Sequence, residues 1–358
     1  MNQTPSQVNM DQTIGPSAPL LCDTDPPYEG EGRNLPPPPD MVPGRGTEPP
    51  VIQTNWNIPA ISEGIAREAF IEYAASKCCY SKAPAKEMVF QDLQSFNTYR
   101  YRLETFTESR STVNKVEPYR GEVIDYHMNG VIPLPWDIRV EVPDMFKDTI
   151  KEIKMPYTSS LKGCSVCGCG GRRPCGTCNG STRQRCLGCG ANGRIGTQRC
   201  SLCSGMSTII CQTCGGIGTV ACRNCEGKGQ LLSYVELQVE WKNNIFEYVA
   251  DQKSGFPTEL FKSADGERLF VDEQHMVYPV VSFPDYAINE ASRNAVEQHH
   301  VQFASTSRIL RQRQTIELIF LTRVEYEWRG KSYCYYVYGN DHQVYAEKYP
   351  RKCCCTII

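Results

Sequence analysis

No stretch of this 358-residue chain is apolar for long enough to cross a bilayer. The opening residues Met1–Ser6 carry no basic stretch running into an apolar core, so no secretory signal is expected. The cysteines are therefore read for a reducing compartment, where thiols bind metal rather than pair as disulfides. Histidine is scarce, and His127, His275, His299, His300 and His342 fall at no spacing that joins them to the cysteines. No nucleophile constellation, phosphate loop or carboxylate pair is visible, which argues against an enzyme. From 161 to 233 there is no aromatic residue, and the aliphatics are scattered. Roughly seventy residues with so little to bury cannot hold a fold through apolar burial alone.

What this stretch has instead is cysteine. Six Cys-x-x-Cys pairs follow one another: Cys164/Cys167, Cys175/Cys178, Cys186/Cys189, Cys200/Cys203, Cys211/Cys214 and Cys222/Cys225. Each pair offers two thiolates from one tight turn, and tetrahedral zinc takes four soft ligands. Twelve cysteines thus account for three zinc ions with none missing and Cys169 to spare, and metal binding would supply most of the folding free energy. A disulfide scaffold and a thioredoxin-type dithiol are the alternatives. The first usually comes with a signal peptide, and the second needs one such pair beside a helix start.

The spacing also bears on which pairs share a metal. Steps between first cysteines are 11, 11, 14, 11 and 11 residues. Pairing of sequence neighbours would not require the connecting steps to match. A long hairpin, with pair one meeting six, two meeting five and three meeting four, needs two rails that advance equally. All four rail steps are equal and the odd one falls at the bend, so nesting is favoured over sequential pairing.

Cys211-Gln-Thr-Cys-Gly-Gly-Ile-Gly218 and Cys222-Arg-Asn-Cys-Glu-Gly-Lys-Gly229 resemble the repeat of the DnaJ cysteine-rich domain. The resemblance implies a bent hairpin with nested zinc sites, inserted in a β-rich substrate-binding domain. Gly180, Gly205, Gly216 and Gly227 hold the same place in their repeats, where a positive φ is expected, while Cys169 and Ala191 stand there in the first and third. No His-Pro-Asp tripeptide occurs, so the J-domain is absent, and proteins of this kind resemble holdases or assembly factors. The whole pattern, a proline-rich start, the cysteine module and a cysteine-ending tail, is similar to the Ssu-two homologue (SSUH) family.

The flanks read as α+β. Ser62 caps a predicted helix over about 62–79, with Ile65, Ala66, Ala69, Phe70, Tyr73 and Ala74 on its apolar face. Alternation predicts half-buried strands at Tyr99–Leu103, at Ile138, Val140 and Val142, at Val235–Trp241, and from Ile316 to Trp328. Arg329-Gly330-Lys331 turns the last of these into a hairpin with Ser332–Tyr338. A second helix follows Asp285, with Ile288, Ala291, Ala295 and Val296 inward. The expected organisation is a proline-rich disordered tail (1–55), a first part of an α+β domain (56–160), the zinc module (161–230), the second part (231–350) and a cysteine tail (351–358). Half of the 24 prolines lie in the first fifty residues. The run Leu35 to Asp40 would suit a partner's polyproline groove, or simply act as a solvated spacer.

The module carries nine basic residues, Lys162, Arg172, Arg173, Arg183, Arg185, Arg194, Arg199, Arg223 and Lys228, against Glu226. A basic finger could grip phosphates, but three four-thiolate zinc centres would take back most of that charge, and no ring is present to stack on bases. At the C-terminus, Cys355-Thr-Ile-Ile358 fits a prenylation box, with Cys353 and Cys354 as acylation candidates beside Arg351 and Lys352. The expected protein is a non-enzymatic, cytoplasmic or peripherally membrane-bound zinc protein that binds polypeptide clients. A nucleic-acid-binding regulator and a thiol-disulfide oxidoreductase are the rival readings.

Overall fold

The computed structural model describes residues 34–39, 60–126, 130–251 and 253–351. Cys353, Cys354, Cys355, His127, Asp40 and most of the proline-rich stretch lie outside them. In chain order the elements are α1 (Glu63–Ser76), α2 (Ala83–Glu87), β1 (Val89–Pro118), β2 (Thr149–Lys154) and β3 (Ser160–Gly163). The short strands of the cysteine segment follow: β4 (Arg172–Pro174), β5 (Arg183–Arg185), β6 (Arg194–Ile195), β7 (Gln198–Arg199), β8 (Thr208–Ile210) and β9 (Thr219–Ala221). Then come β10 (Gln230–Ala250), α3 (Thr258–Phe261), β11 (Glu267–Gln274), α4 (Tyr286–Phe303), β12 (Arg308–Trp328), β13 (Lys331–Tyr338) and β14 (Gln343–Tyr345). The architecture is α+β and rich in strands. The main sheet has the order β14-β13-β12-β1-β10-β2, with β11 also on β12 and β3 also on β10. Among the described residues no helix is long and apolar enough to cross a membrane.

The chain divides into two compact units. One holds Thr112–Leu134 and Glu152–Leu237; the other holds the described parts of Arg33–Ser111, Pro135–Lys151 and Gln238–Ile358. In the second unit β1, which precedes the cysteines, pairs antiparallel with β12, which follows them, from Val89↔Glu327 to Glu108↔Arg308.

Helix α1 starts where the sequence says it should, because the Ser62 hydroxyl accepts the Ile65 N–H at 3.3 Å. Ala66, Ala69, Phe70 and Ala74 form its buried stripe, whereas Ile65 is 41% exposed. Phe70 stacks on Tyr335 with ring centroids 4.1 Å apart, and the Tyr335 hydroxyl donates to the Ala66 carbonyl at 2.9 Å. Asp285 caps α4 through the Ala287 N–H at 2.9 Å. Ile288, Ala291, Ala295 and Val296 then pack with Tyr101, Leu103 and Ile316 of the sheet. Arg329 and Gly330 both take positive φ, 52° and 72°, as a two-residue turn between β12 and β13 requires.

Two expectations change. Ile138, Val140 and Val142 form no strand. Pro133, Pro135 and Pro143 deny that stretch donors, and the Ile138 carbonyl is taken by the Arg110 guanidinium at 2.8 Å. The strand around Tyr101 is covered on both faces rather than one. Tyr101 and Leu103 are fully buried, and Arg100 and Glu104 on the other face are only 8% and 7% exposed. Arg100 reaches Glu317 through Nε at 2.8 Å and, through Nη1, the carbonyls of Phe261 and Lys262 at 2.8 and 3.1 Å. Residues around α3 therefore lie over a face that alternation alone marks as solvent.

Candidate metal centres

Three groups of four thiols come together in the cysteine segment. They are Cys164, Cys167, Cys222 and Cys225; Cys175, Cys178, Cys211 and Cys214; and Cys186, Cys189, Cys200 and Cys203. Within each group the sulfurs lie within 4.8 Å of one another. The order is nested, first pair with sixth, second with fifth, third with fourth. Backbone ladders set it: β4 pairs with β9, β5 with β8 and β6 with β7, all antiparallel. Arg172 clamps the first ladder, donating to the Thr219 hydroxyl and carbonyl at 2.8 and 2.9 Å. Arg183 repeats the contact on Thr208 at 2.9 and 3.0 Å.

Each centre is built from two repeats that exchange the same bonds. In the first, the Cys164 N–H donates to the Gly229 carbonyl at 2.9 Å and the Cys222 N–H to the Gly171 carbonyl at 2.8 Å. In the second, Cys175 donates to Gly218 and Cys211 to Thr182, both at 2.9 Å. In the third, Cys186 donates to Ser207 at 3.0 Å and Cys200 to Gly193 at 2.9 Å. The reciprocal bonds fix each pair's approach to its partner, and one aliphatic packs against each group of sulfurs: Leu231 on the first, Val220 on the second and Ile209 on the third.

The loop behind each pair explains the glycines. Positive φ occurs at the expected place in all six repeats, at Gly180, Gly205, Gly216 and Gly227 and also at Cys169 (64°) and Ala191 (65°). The residue four positions after the second cysteine matters as much. Its N–H points at that cysteine's sulfur: Gly171 to Cys167 at 3.3 Å, Gly193 to Cys189 at 3.2 Å, Gly218 to Cys214 at 3.3 Å and Gly229 to Cys225 at 3.1 Å. A Cβ on Gly171 would sit 2.3 Å from the Gly227 carbonyl oxygen, and one on Gly229 would sit 2.2 Å from that of Cys169. Sequence reading missed this role, although glycine at that offset in four of the six repeats was the signal. It also missed Asn224, whose side-chain N–H donates to the Cys164 sulfur at 3.5 Å.

The sulfur spacing fits a single bound ion. Metal–sulfur bonds of about 2.3 Å in a tetrahedron put sulfurs about 3.8 Å apart. Two cross-pair separations are 3.9 and 3.7 Å in the first centre, 3.7 and 3.7 Å in the second, and 3.8 and 3.7 Å in the third, and all the others lie within 4.8 Å. A disulfide would need about 2.05 Å. Each group could therefore hold one metal ion. The thiols of a centre differ in acidity: the Cys178 backbone N–H brings Cys175 down to about 6, while burial and the bond to Cys214 push Cys178 up to about 11. Four thiolates together need a cation among them, and binding one releases protons.

Among the described residues no histidine joins these groups. His275 meets the Leu310 carbonyl at 2.8 Å through Nδ1, and His299 meets the Thr105 hydroxyl at 2.7 Å. Burial lowers His299 to about 4, so it is neutral. Cys169 lies outside the three groups.

The nested order has a direct test. Cys164→Ser and Cys222→Ser are each expected to lose one metal by elemental analysis, and the double variant no further one. Loss of two metals from the double variant would mean the two cysteines serve different ions.

No family model matches the chain. Curated relatives do. The chain is 51% identical to the protein SSUH2 homolog of Danio rerio over 358 residues, 97% of this chain and 98% of the relative. It is 47% identical to that of Homo sapiens over 331 residues, 90% of this chain and 87% of the relative. With a Mus musculus relative also matching at 44% over 79% of the chain, near-complete coverage of proteins this similar places the chain in the SSUH2 homolog family.

Proposed function

We propose that this chain is a non-enzymatic, zinc-bearing protein that binds polypeptides as a chaperone-like or scaffolding adaptor. The supporting observation is an apolar groove beside the third thiol centre, lined by Leu187, Leu202, Met206, Ile209 and Ile210. Leu187 is 87% exposed, Leu202 69%, Met206 61% and Ile210 60%. Single exposed aliphatics are ordinary, but a cluster of them in one groove marks a contact surface. Metal centres make the cluster affordable: with the backbone held by ions, the segment's aliphatics need not turn inward. Unbranched Met206 and the leucines adapt to varied apolar sequences.

On this reading the ions are zinc, three per chain. Four thiolates in a closed tetrahedron suit a structural zinc site and leave no open position for chemistry. The segment acts as a DnaJ-type hairpin, inserted into an α+β domain. On this reading its clients are held rather than passed on. A reduced, carboxymethylated polypeptide that stays unfolded is the direct probe. The intact chain is expected to bind it saturably, and Leu187→Ser, Leu202→Ser and Met206→Ser together to weaken binding at least ~10-fold, given ~1.5–3 kcal/mol per fully buried aliphatic, with metal content unchanged. Equal binding by the triple variant would refute the groove.

The nucleic-acid reading draws on another groove of the segment, lined by Arg173, Arg223, Asn224, Thr177 and Thr213. Against it, Arg172 and Arg183 are taken up as clamps. A strong salt dependence of RNA or DNA binding would favour it.

Lipidation belongs to the same proposal. Cys355 would carry the prenyl group and Cys353 and Cys354 the second signal, holding the protein on a cytosolic membrane face. Cys355→Ser is expected to move the protein to the soluble fraction. An unmodified Ile358 terminus in mass spectra of the cellular protein would exclude the anchor.

A further inference from the structure

The residue that leads into the tetraproline run is bonded to its own chain. The backbone N–H of Leu35 donates to the Arg110 carbonyl at 2.8 Å, and the indole Nε1–H of Trp136 donates to the Leu35 carbonyl at 3.1 Å. Both backbone groups of Leu35 are used. The four prolines after it have no N–H to offer, so the segment cannot run on as a strand and needs no ladder. Leu35, Pro37 and Pro38 are half-buried, while Asn34, Pro36 and Pro39 are exposed. Leu35 and Pro38 are three residues apart, the repeat with which a polyproline II helix lays one edge on a surface.

The surface beneath is built to stay still. β1 pairs with β12 only as far as Glu108, and Arg110 just beyond it accepts the bond from Leu35. Trp136 is 7% exposed, with the Arg110 guanidinium 4.7 Å from the centre of its ring. That guanidinium is fixed in turn, by Glu108 at 2.7 Å and by the carbonyls of Pro135 and Ile138. Glu108 and Arg110 are 2% and 5% exposed. A buried ion pair rarely gains stability over an apolar pair of the same size. Here it holds an indole ring and its N–H donor in one orientation, the pre-organisation that an aromatic proline-reading groove needs.

We propose that Trp136 and Arg110, with the turn at 135–138, form a binding site for an extended proline-rich peptide bearing an apolar residue ahead of its prolines, and that Leu35–Pro39 is the resident ligand. The chain then carries both reader and ligand. Twenty residues, 40–59, join Pro39 to Ala60, and a tethered ligand competes at an effective concentration of the order of millimolar. A partner's proline-rich segment gains the site by displacing the resident, and the displaced tetraproline is then free for a reader elsewhere.

The test uses the full, metal-loaded chain labelled with 5-fluorotryptophan, the Trp136 resonance being assigned with Trp136→Phe. A second chain carries Leu35→Asp, Pro37→Ser and Pro38→Ser, substitutions confined to the segment, and the resonances of Trp241 and Trp328 report that its fold is kept. The probe is a synthetic Asn-Leu-Pro-Pro-Pro-Pro-Asp peptide. In the substituted chain the Trp136 resonance is expected to shift from its wild-type position, then return saturably as peptide is added. Affinity should be at least tenfold higher than for wild type, and a peptide with alanines for prolines should have no effect. An unshifted Trp136 resonance in the substituted chain, absence of saturable binding there, or equal affinity for both chains would overturn the proposal.

Discussion

Stripping metal from the intact chain with a strong chelator is expected to unfold the cysteine segment while the second unit keeps its fold. Between Cys164 and Cys225 every buried residue of apolar type is a cysteine, and Val166, Leu187, Ile195, Leu202, Met206, Ile210 and Ile217 are all exposed. The reciprocal backbone bonds, the Arg172 and Arg183 clamps and the partly buried Ile209 and Val220 would remain, and short ladders of that kind are unstable alone. Structural zinc in small modules contributes about 10–16 kcal/mol per site at neutral pH, far above what those ladders supply. Limited trypsin digestion checks this. Arg172, Arg183, Arg185 and Arg194 should become cleavable on chelation and be protected again on adding zinc, while the second unit survives. Unchanged protection after chelation, with zinc release confirmed, would show that the segment folds by other means.

The second large effect concerns Arg100. Arg100→Met is expected to cost about 3–5 kcal/mol, because it leaves the Glu317 carboxylate without its buried partner. It also removes the donor to the Phe261 and Lys262 carbonyls. The fall in Tm should be of the order of 10 °C for a unit of this size. Arg100→Met with Glu317→Met should recover much of the loss, since the unpaired charge goes with the second substitution. Calorimetry of the three chains decides it. A double variant less stable than the single by a full additive increment would mean that the pair itself, rather than the stranded carboxylate, carries the energy.

The grouping of the twelve thiols was legible because Cys-x-x-Cys is a local device. Two sulfurs leave one turn whatever the rest of the chain does, and six regular pairs then leave few ways to share ions. Equal rail steps pointed to the nested order for the same reason, since antiparallel ladders must keep register. Ser62 and Asp285 were legible as caps because a cap is made within three residues.

Other features depend on partners far away in the chain. The burial of Arg100 comes from Glu317, 217 residues on, and the seat of Leu35 from Trp136, 101 residues on. Ile138, Val140 and Val142 alternate as a strand would, yet their stretch is taken up in holding Arg110. Cys169 and Ala191 adopt the left-handed conformation without being glycine, their N–H groups bonded back to the Cys164 and Cys186 carbonyls of their own repeats. By itself the sequence determined which atoms could bind metal and where helices begin, both matters of a few neighbouring residues. Only the tertiary structure decided which polar faces are covered and where Leu35 is held, because those outcomes are contacts between segments whose spacing carries no local signal.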